Sequence, residues 1–231
     1  QLERELTGPS GDVLCVRYSP NGQWLAAAGK DQEVHLWNLS EDSPAKTLVG
    51  HSGWVSSLSF SADSKRLLSG AYDATMRLWD VKKGEKARRP FQGKIEWIRD
   101  VALSNNRRGP LTLSGGNAGC VRLWGSRKMP NGQVVGIFIP LEAPYQSGQI
   151  SSIDVTPDGR FVAAAGWNRP VGVWNTMTGK RVTQFGGPSH TIYDLAWYGD
   201  NHHVLTAGAD GTLRLWDRRN GKESKRYLGH A

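Results

Sequence analysis

His51, Ser69 and Asp73 are the three residue types of a hydrolytic triad, in which histidine takes the proton of a hydroxyl nucleophile and a carboxylate orients the imidazole. They fall within one short stretch of chain, so that chemistry has to be weighed first. The adjacent His202 and His203 offer a second candidate, since imidazole is a common metal ligand. Standing side by side in a turn, without a carboxylate or cysteine at ligand spacing, they make no metal site. No glycine-rich phosphate loop follows a strand and opens a helix, and no apolar pattern has a helical period. No cofactor is expected.

What must position these residues is a repeat. Five strands end alike: Val34-His35-Leu36-Trp37-Asn38, Met76-Arg77-Leu78-Trp79-Asp80, Val121-Arg122-Leu123-Trp124-Gly125, Val171-Gly172-Val173-Trp174-Asn175 and Leu213-Arg214-Leu215-Trp216-Asp217. Successive tryptophans stand 42, 45, 50 and 42 residues apart, the interval of four-stranded propeller blades, about 40–45 residues. One such unit cannot bury its own sheet faces, so it folds only by stacking on neighbours. Within the second repeat, Trp54 to Phe60 alternates as a half-buried strand. Leu67 to Ala71 is the second strand, Met76 to Trp79 the third, and Lys82-Lys83-Gly84-Glu85 leads to the fourth. Ser19-Pro20-Asn21-Gly22, Ser61-Ala62-Asp63-Ser64, Thr156-Pro157-Asp158-Gly159 and Gly199-Asp200-Asn201-His202 supply the first turns. The third repeat is looser at Asn105 to Gly109 and longer through Met129-Pro130-Asn131-Gly132.

Gly50-His51, Ser69-Gly70, Asp73 and Trp79-Asp80 together resemble the WD-repeat family, WD40, whose members fold as β-propellers. The resemblance covers practically the whole chain. It implies an all-β fold of five four-stranded antiparallel blades: 9–50, 51–93, 94–145, 146–187 and 188–229. Residues 1–8 read as the outer strand of a preceding blade and 230–231 as the start of a further repeat. The expectation is a single propeller domain or a segment of a longer one, typically of seven blades. A five-bladed ring, an open arc and closure with a second copy remain as alternatives, and an open arc would self-associate through its sheet edges.

In the family, the His, Ser/Thr, Asp and Trp of a blade form a buried hydrogen-bonded tetrad, a role that carries over in full only to His51, Ser69, Asp73 and Trp79. At the His position the other blades carry Pro9, Lys94, Gln146 and Pro188. At the Ser/Thr position they carry Ala27, Ser114, Ala164 and Thr206, and at the Asp position Asp31, Ala118, Asn168 and Asp210. Those blades are expected to hold their turns with fewer side-chain bonds. Trp37, Trp79, Trp124, Trp174 and Trp216 are assigned to blade packing, as are Trp24 and Trp197. A tetrad serine spends its hydroxyl inside the network, so the resemblance argues against a nucleophile and against an enzyme.

Family partners often dock where strand-a starts meet the turns between strands b and c. Here that surface includes Lys30, Trp54, Tyr72, Trp97, Arg99, Trp167 and Tyr193, with Asp12, Leu14, Ser56, Asn117, Gln149, Ser151, Thr191 and Ala209. Trp, Tyr and Arg carry much of the binding energy at interfaces, so the expected function is a noncatalytic scaffold that binds a peptide or protein domain. Net charge is +8, with basic residues gathered in turns: Lys82, Lys83, Lys86, Arg88 and Arg89; Arg107 and Arg108; Arg127 and Lys128; Arg218, Arg219, Lys222, Lys225 and Arg226. Binding of nucleic acid or anionic lipid through those turns is the alternative. No run approaches the roughly 20 apolar residues that span a bilayer. Cys15 and Cys120 make no disulfide framework. They read as buried free thiols of a reducing, cytoplasmic compartment.

Overall fold

The computed structural model describes residues 5–41, 43–87, 90–92, 96–106, 109–128, 134–140, 148–186 and 191–228, with 92, 105, 106, 109, 110, 125–128 and 134–140 described by backbone alone. Among these residues there are strands and turns but no helix. All strand pairs are antiparallel, and they join in chain order into five sheets. Sheet 1 is β1 (Val13–Tyr18), β2 (Trp24–Gly29), β3 (Val34–Asn38) and β4 (Lys46–Leu48). Sheet 2 is β5 (Val55–Phe60), β6 (Arg66–Ala71) and β7 (Thr75–Asp80), with its outer strand in two pieces, β8 (Glu85–Lys86) and β9 (Phe91–Gln92), both paired to β7. Sheet 3 is β10 (Ile98–Asn106), β11 (Gly109–Gly116), β12 (Val121–Lys128) and β13 (Val134–Pro140). Sheet 4 is β14 (Ile150–Val155), β15 (Phe161–Gly166), β16 (Val171–Asn175) and β17 (Arg181–Phe185). Sheet 5 is β18 (Ile192–Trp197), β19 (His203–Gly208), β20 (Thr212–Asp217) and β21 (Lys222–Leu228). The chain forms two compact units, Gln1–Ile95 with sheets 1 and 2, and Glu96–Ala231 with sheets 3 to 5.

In sheets 1, 2 and 4 the turns between the first two strands share one clasp. In sheet 2 the Ser61 hydroxyl donates to Asp63 Oδ1 at 2.6 Å and accepts from the Arg66 N–H at 2.9 Å. Thr156 does the same with Asp158 and the Phe161 N–H, and Ser19 with Asn21 and the Trp24 N–H. A short hydroxyl followed two residues later by Asn or Asp therefore closes the hairpin from within. The third repeat differs: Asn105 and Asn106 pair with Pro110 and Gly109 in the ladder, so a stretch that reads as a loose turn extends β10 and β11. Residues 107–108 and the Met129–Gly132 turn lie outside the described residues.

Packing is sheet on sheet. In the first unit Ala26, Ala28, Val34 and Leu36 of sheet 1 close on Val55, Leu58, Phe60 and Leu67 of sheet 2. In the second, Leu113, Val121 and Leu123 of sheet 3 meet Ile150, Ile153 and Val155 of sheet 4, while Ala163, Val171 and Val173 of sheet 4 meet Leu195, Trp197 and Val204 of sheet 5. Each buried Leu or Ile contributes about 1.5–3 kcal/mol. The leading face of sheet 1 has no such cover: Val16 and Tyr18 are 46% and 66% exposed, whereas Leu58 and Phe60, at the same register, are 1% and 8% exposed. Glu5–Gly8, the described part of the expected outer strand, form no strand. Gly8 instead lies against the Trp37 and His35 rings, where a Cβ would stand 2.6 Å from Trp37. Gly229, His230 and Ala231 lie outside the described residues.

The turns between the second and third strands need a left-handed residue. Gly119 and Gly211 take it freely, but Gln32 (φ 68°) and Ala74 (φ 63°) take it against their Cβ. Sheet 4 shifts it one residue earlier, to Asn168 (φ 50°). Pro170 disfavours helical angles at Arg169, and Asn tolerates the left-handed region. Asn168, which aligns with the tetrad aspartate, is thus a backbone pivot. Replacing Ala74 by glycine should stabilise the first unit by about 0.5–1 kcal/mol, read as a higher urea midpoint.

Candidate functional site

The triad-like residues do converge. His51 Nδ1 lies 2.9 Å from Asp73 Oδ2 and His51 Nε2 lies 2.7 Å from Ser69 Oγ, while the Trp79 indole N–H donates to Ser69 Oγ at 2.9 Å. The Ser69 hydroxyl has one proton and the Asp73 carboxylate accepts only, so Nδ1–H donates to Asp73 and Nε2 accepts from Ser69. This is the connectivity of a catalytic triad in a place closed to solvent. Ser69 is fully buried, and its oxygen already takes the indole proton. Burial alone would raise the Asp73 pKa, but His51, the Ser52 N–H and the Thr75 hydroxyl outweigh it and hold the carboxyl well below the usual range. Its stabilisation is therefore present above the ordinary carboxylate titration and is lost as pH falls through its own lowered value.

The incomplete sheets are better held than their missing residues suggest. In sheets 3 and 5 the indole of Trp124 donates to Ser114 at 2.9 Å and that of Trp216 to Thr206 at 3.0 Å. In sheet 1, which has no tetrad histidine, His35 on β3 reaches the turn carboxylate of Asp31 at 2.9 Å. Arg214 on β20 pairs with Asp210 in the same way, and Arg122 on β12 pairs with Glu96. In these three sheets the third strand supplies a basic side chain to an acid of the loop or turn, from the repeated x-Arg/His-Leu-Trp pattern. Asp31, Glu33 and His35 bring three donor atoms within 4.8 Å of one another. Their hydrogen bonds show a stand-in for the tetrad. Trp174 packs its ring across Gly172, where a Cβ would stand 2.3 Å away. Lys94, Gln146 and Pro188 lie outside the described residues.

A row of acids inside the second unit escaped sequence reasoning. Asp100 on β10 accepts the Ile153 N–H of β14 at 2.7 Å, and Asp154 on β14 accepts the Trp197 N–H of β18 at 2.8 Å. The Ser152 hydroxyl sits between Asp100 (3.2 Å) and Asp194 (2.8 Å). These side chains stitch neighbouring first strands together. Burial, then the charges of Asp100 and Asp194, push the Asp154 carboxyl up to about 6 against the pull of the Trp197 and Val155 N–H groups. An aspartate inside the otherwise apolar Ile153-Asp154-Val155 is the signal that marked it.

The residues expected to bind a partner lie where a recurrent irregularity puts them. Every first strand has a β-bulge near its start, and the residues skipped in register are Leu14, Ser56, Arg99, Ser151 and Tyr193. Bulges re-aim side chains. In the first unit, Trp54 stacks on Tyr72 (centroids 5.8 Å apart), and Lys30 Nζ lies 4.9 Å over the Trp54 ring and 2.6 Å from Asp12. In the second, Arg99 donates to Asn117 Oδ1 at 3.0 Å and to Gln149 Oε1 at 3.1 Å. Trp97, Trp167 and Tyr193 are exposed at the same ends of sheets 3, 4 and 5.

The basic turns are less available than their number suggests. Arg219 pairs with Asp217 and Arg226 with Glu223, while Arg218 lies 3.8 Å over the Phe161 ring. Arg88, Arg89, Arg107 and Arg108 lie outside the described residues, as do the side chains of Arg127 and Lys128. The His202-His203 pair does have a carboxylate beside it: the turn residue Asp200 pairs with His203 and also accepts the His202 and His203 N–H groups. Cys15 and Cys120 are thiols, not joined in a disulfide, and half-buried rather than buried. Among the described residues no helix is long and apolar enough to cross a membrane.

Antiparallel four-stranded sheets, repeated and anchored by a third-strand tryptophan, define the class of protein. Residues 1–38, 42–80, 140–175 and 179–217 match the family described as WD domain, G-beta repeat, and the chain belongs to that family. The unmatched stretch holds most of sheet 3, whose tetrad positions carry Lys94 and Ala118. Periodic tryptophan protein 2 of Arabidopsis thaliana is 26% identical over 211 residues, 91% of this chain and 22% of the relative. Small ribosomal subunit protein RACK1 of Caenorhabditis elegans is 28% identical over 222 residues, 95% of this chain and 65% of the relative. Guanine nucleotide-binding protein subunit beta of Zea mays is 22% identical over 232 residues, 97% and 60% of the two chains. The chain spans less than two thirds of the length of each.

Two outcomes test this chemistry. Ser69→Ala leaves His51 Nε2 and the Trp79 indole unsatisfied in the core and should cost about 2–4 kcal/mol in denaturant unfolding. Folded Asp154 keeps its proton up to about pH 6, whereas the unfolded carboxyl releases it near pH 4. It therefore opposes folding above that window and ceases to do so as pH falls through it. Asp154→Asn should raise the melting temperature by a few degrees at about pH 8 and lose that advantage at about pH 4.

Proposed function

We propose that this chain is a noncatalytic interaction scaffold that captures a peptide or protein domain on the bulged, aromatic ends of its sheets. Members of the family act in general as protein-interaction scaffolds, and two of the relatives above are by name subunits of larger assemblies. One observation carries the finer reading. Trp54, Trp97, Trp167 and Tyr193 stand 42–60% exposed at equivalent sheet ends, while the core is complete without them. Large aromatics left in water at repeated positions are the usual currency of a binding surface. The bulges that hold Arg99 and Tyr193 are built into the backbone, so the surface is ordered before a partner arrives. His51, Ser69 and Asp73 have no part in this function beyond fixing the turn that carries Tyr72.

The anion-binding alternative draws on the same net charge, but Arg218, Arg219 and Arg226 are held by internal partners. Salt separates the two readings, because phosphate binding releases counterions and weakens steeply as salt rises. Trp97→Ala should reduce capture of partners by immobilised protein at least about tenfold, the usual scale of an interface anchor. Lys180→Ala combined with Lys222→Ala should leave capture unchanged. The reverse result, with steep salt dependence, would establish the anion reading.

A further inference from the structure

A second recognition surface lies at the opposite end of the strands in the first unit. Between the turns of sheets 1 and 2 there is a cleft of about 740 Å³. The Asn21 N–H donates to Ser64 Oγ at 3.2 Å and ties the two first turns together along its floor. Trp24 forms one wall, half-buried and packed on the core, with Lys46 Nζ 5.3 Å over its ring. Lys65, Lys82 and Lys83 complete the rim.

The charges are unbalanced. Of the carboxylates at the cleft, Asp80 is taken by Arg66 and by the Lys83 N–H, and Asp63 by the Ser61 hydroxyl and the Lys65 N–H. Glu41 is the third. Among the described residues no carboxylate lies in ion-pair contact with Lys46, Lys65, Lys82 or Lys83; Lys46 Nζ stands over Trp24 and donates to the Lys82 carbonyl at 2.5 Å, and the other three ammonium groups line the same cleft. Their charge calls for an anionic occupant, and the indole calls for an apolar side chain. A nucleic acid would set its phosphates against Glu41, Asp63 and Asp80 as well as the lysines. A peptide fits better, because it can set separated carboxylates against the ammoniums and an apolar side chain against the indole without a continuous run of phosphates beside the acids.

We propose that this cleft binds an acidic peptide segment bearing an aromatic or long aliphatic side chain, which lies against Trp24 while its carboxylates engage Lys65, Lys82 and Lys83. This site is independent of the aromatic sheet ends. The probe is a fluorescein-labelled peptide of glutamates around one phenylalanine, titrated by anisotropy at low salt. Lys82→Glu combined with Lys83→Glu, both exposed and outside the core, should weaken it at least about tenfold. Replacing the phenylalanine by glycine should weaken it severalfold, and Trp54→Ala should have no effect. Circular dichroism of the double variant checks that the sheets persist. Affinity unchanged by the double charge reversal would overturn the proposal. So would an oligouridylate that binds the wild type more tightly than the peptide and loses its affinity in the same variant.

Discussion

A four-stranded sheet with two apolar faces is insoluble alone, and the need to cover both faces governs the rest of this molecule. Leu58 and Phe60 are buried only because sheet 1 stands before them, and Val16 and Tyr18 show what the same positions look like without a cover. The hydrophobic term is nondirectional, so it asks only that something apolar stack there. What makes the stack regular is the set of polar fastenings between sheets. In the second unit Asp100 and Asp154 each reach across to a backbone N–H of the next first strand, fixing sheet against sheet in one register.

Those fastenings carry a cost as well as order. Burial, and after it the charges of Asp100 and Asp194 on adjacent strands, raises the Asp154 pKa, while the tetrad in the first unit lowers that of Asp73. Both carboxyls accept backbone N–H groups. At Asp154 burial outweighs those bonds and two further carboxylates add to it, whereas at Asp73 a histidine and the Thr75 hydroxyl also donate and outweigh burial. These two carboxyls therefore answer acid with opposite signs: as pH falls, Asp73 loses a favourable bond and Asp154 sheds the cost of a buried charge.

The tetrad also shows why side-chain inventory is a poor guide to catalysis. Ser69, His51 and Asp73 have the connections of a hydrolytic triad, yet the Trp79 indole occupies the serine oxygen and the strand seals it from solvent. The same bond network that would activate a nucleophile in an open cleft anchors a turn when closed over. By contrast the sheet ends spend their polar groups on shape. Arg99 is tied to Asn117 and Gln149, and Lys30 to Asp12, leaving aromatic rings as the accessible chemistry.

The repeat and its strand order were legible in the sequence because each depends on local periodicity, alternation along a strand and a tryptophan at fixed spacing, whereas the tetrad was implied only by the resemblance to the WD-repeat family. The positions flanking the start of each first strand could be named as well. That Arg99 and Tyr193 are bulged residues could not, since a bulge is a property of two paired strands. The pairing of His35 with Asp31 and of Arg214 with Asp210, the shift of the left-handed residue to Asn168, and the meeting of Asp100, Asp154 and Asp194 likewise depended on the fold, even where a residue pattern hinted at them. Each arises from which groups of different strands meet and how far water is excluded from them. One chain's amino acids thus determined what kind of sheet forms and how often. Only the stacked structure decided which polar groups must satisfy one another, because hydrogen bonds and charge interactions between distant residues exist only once burial brings them into contact.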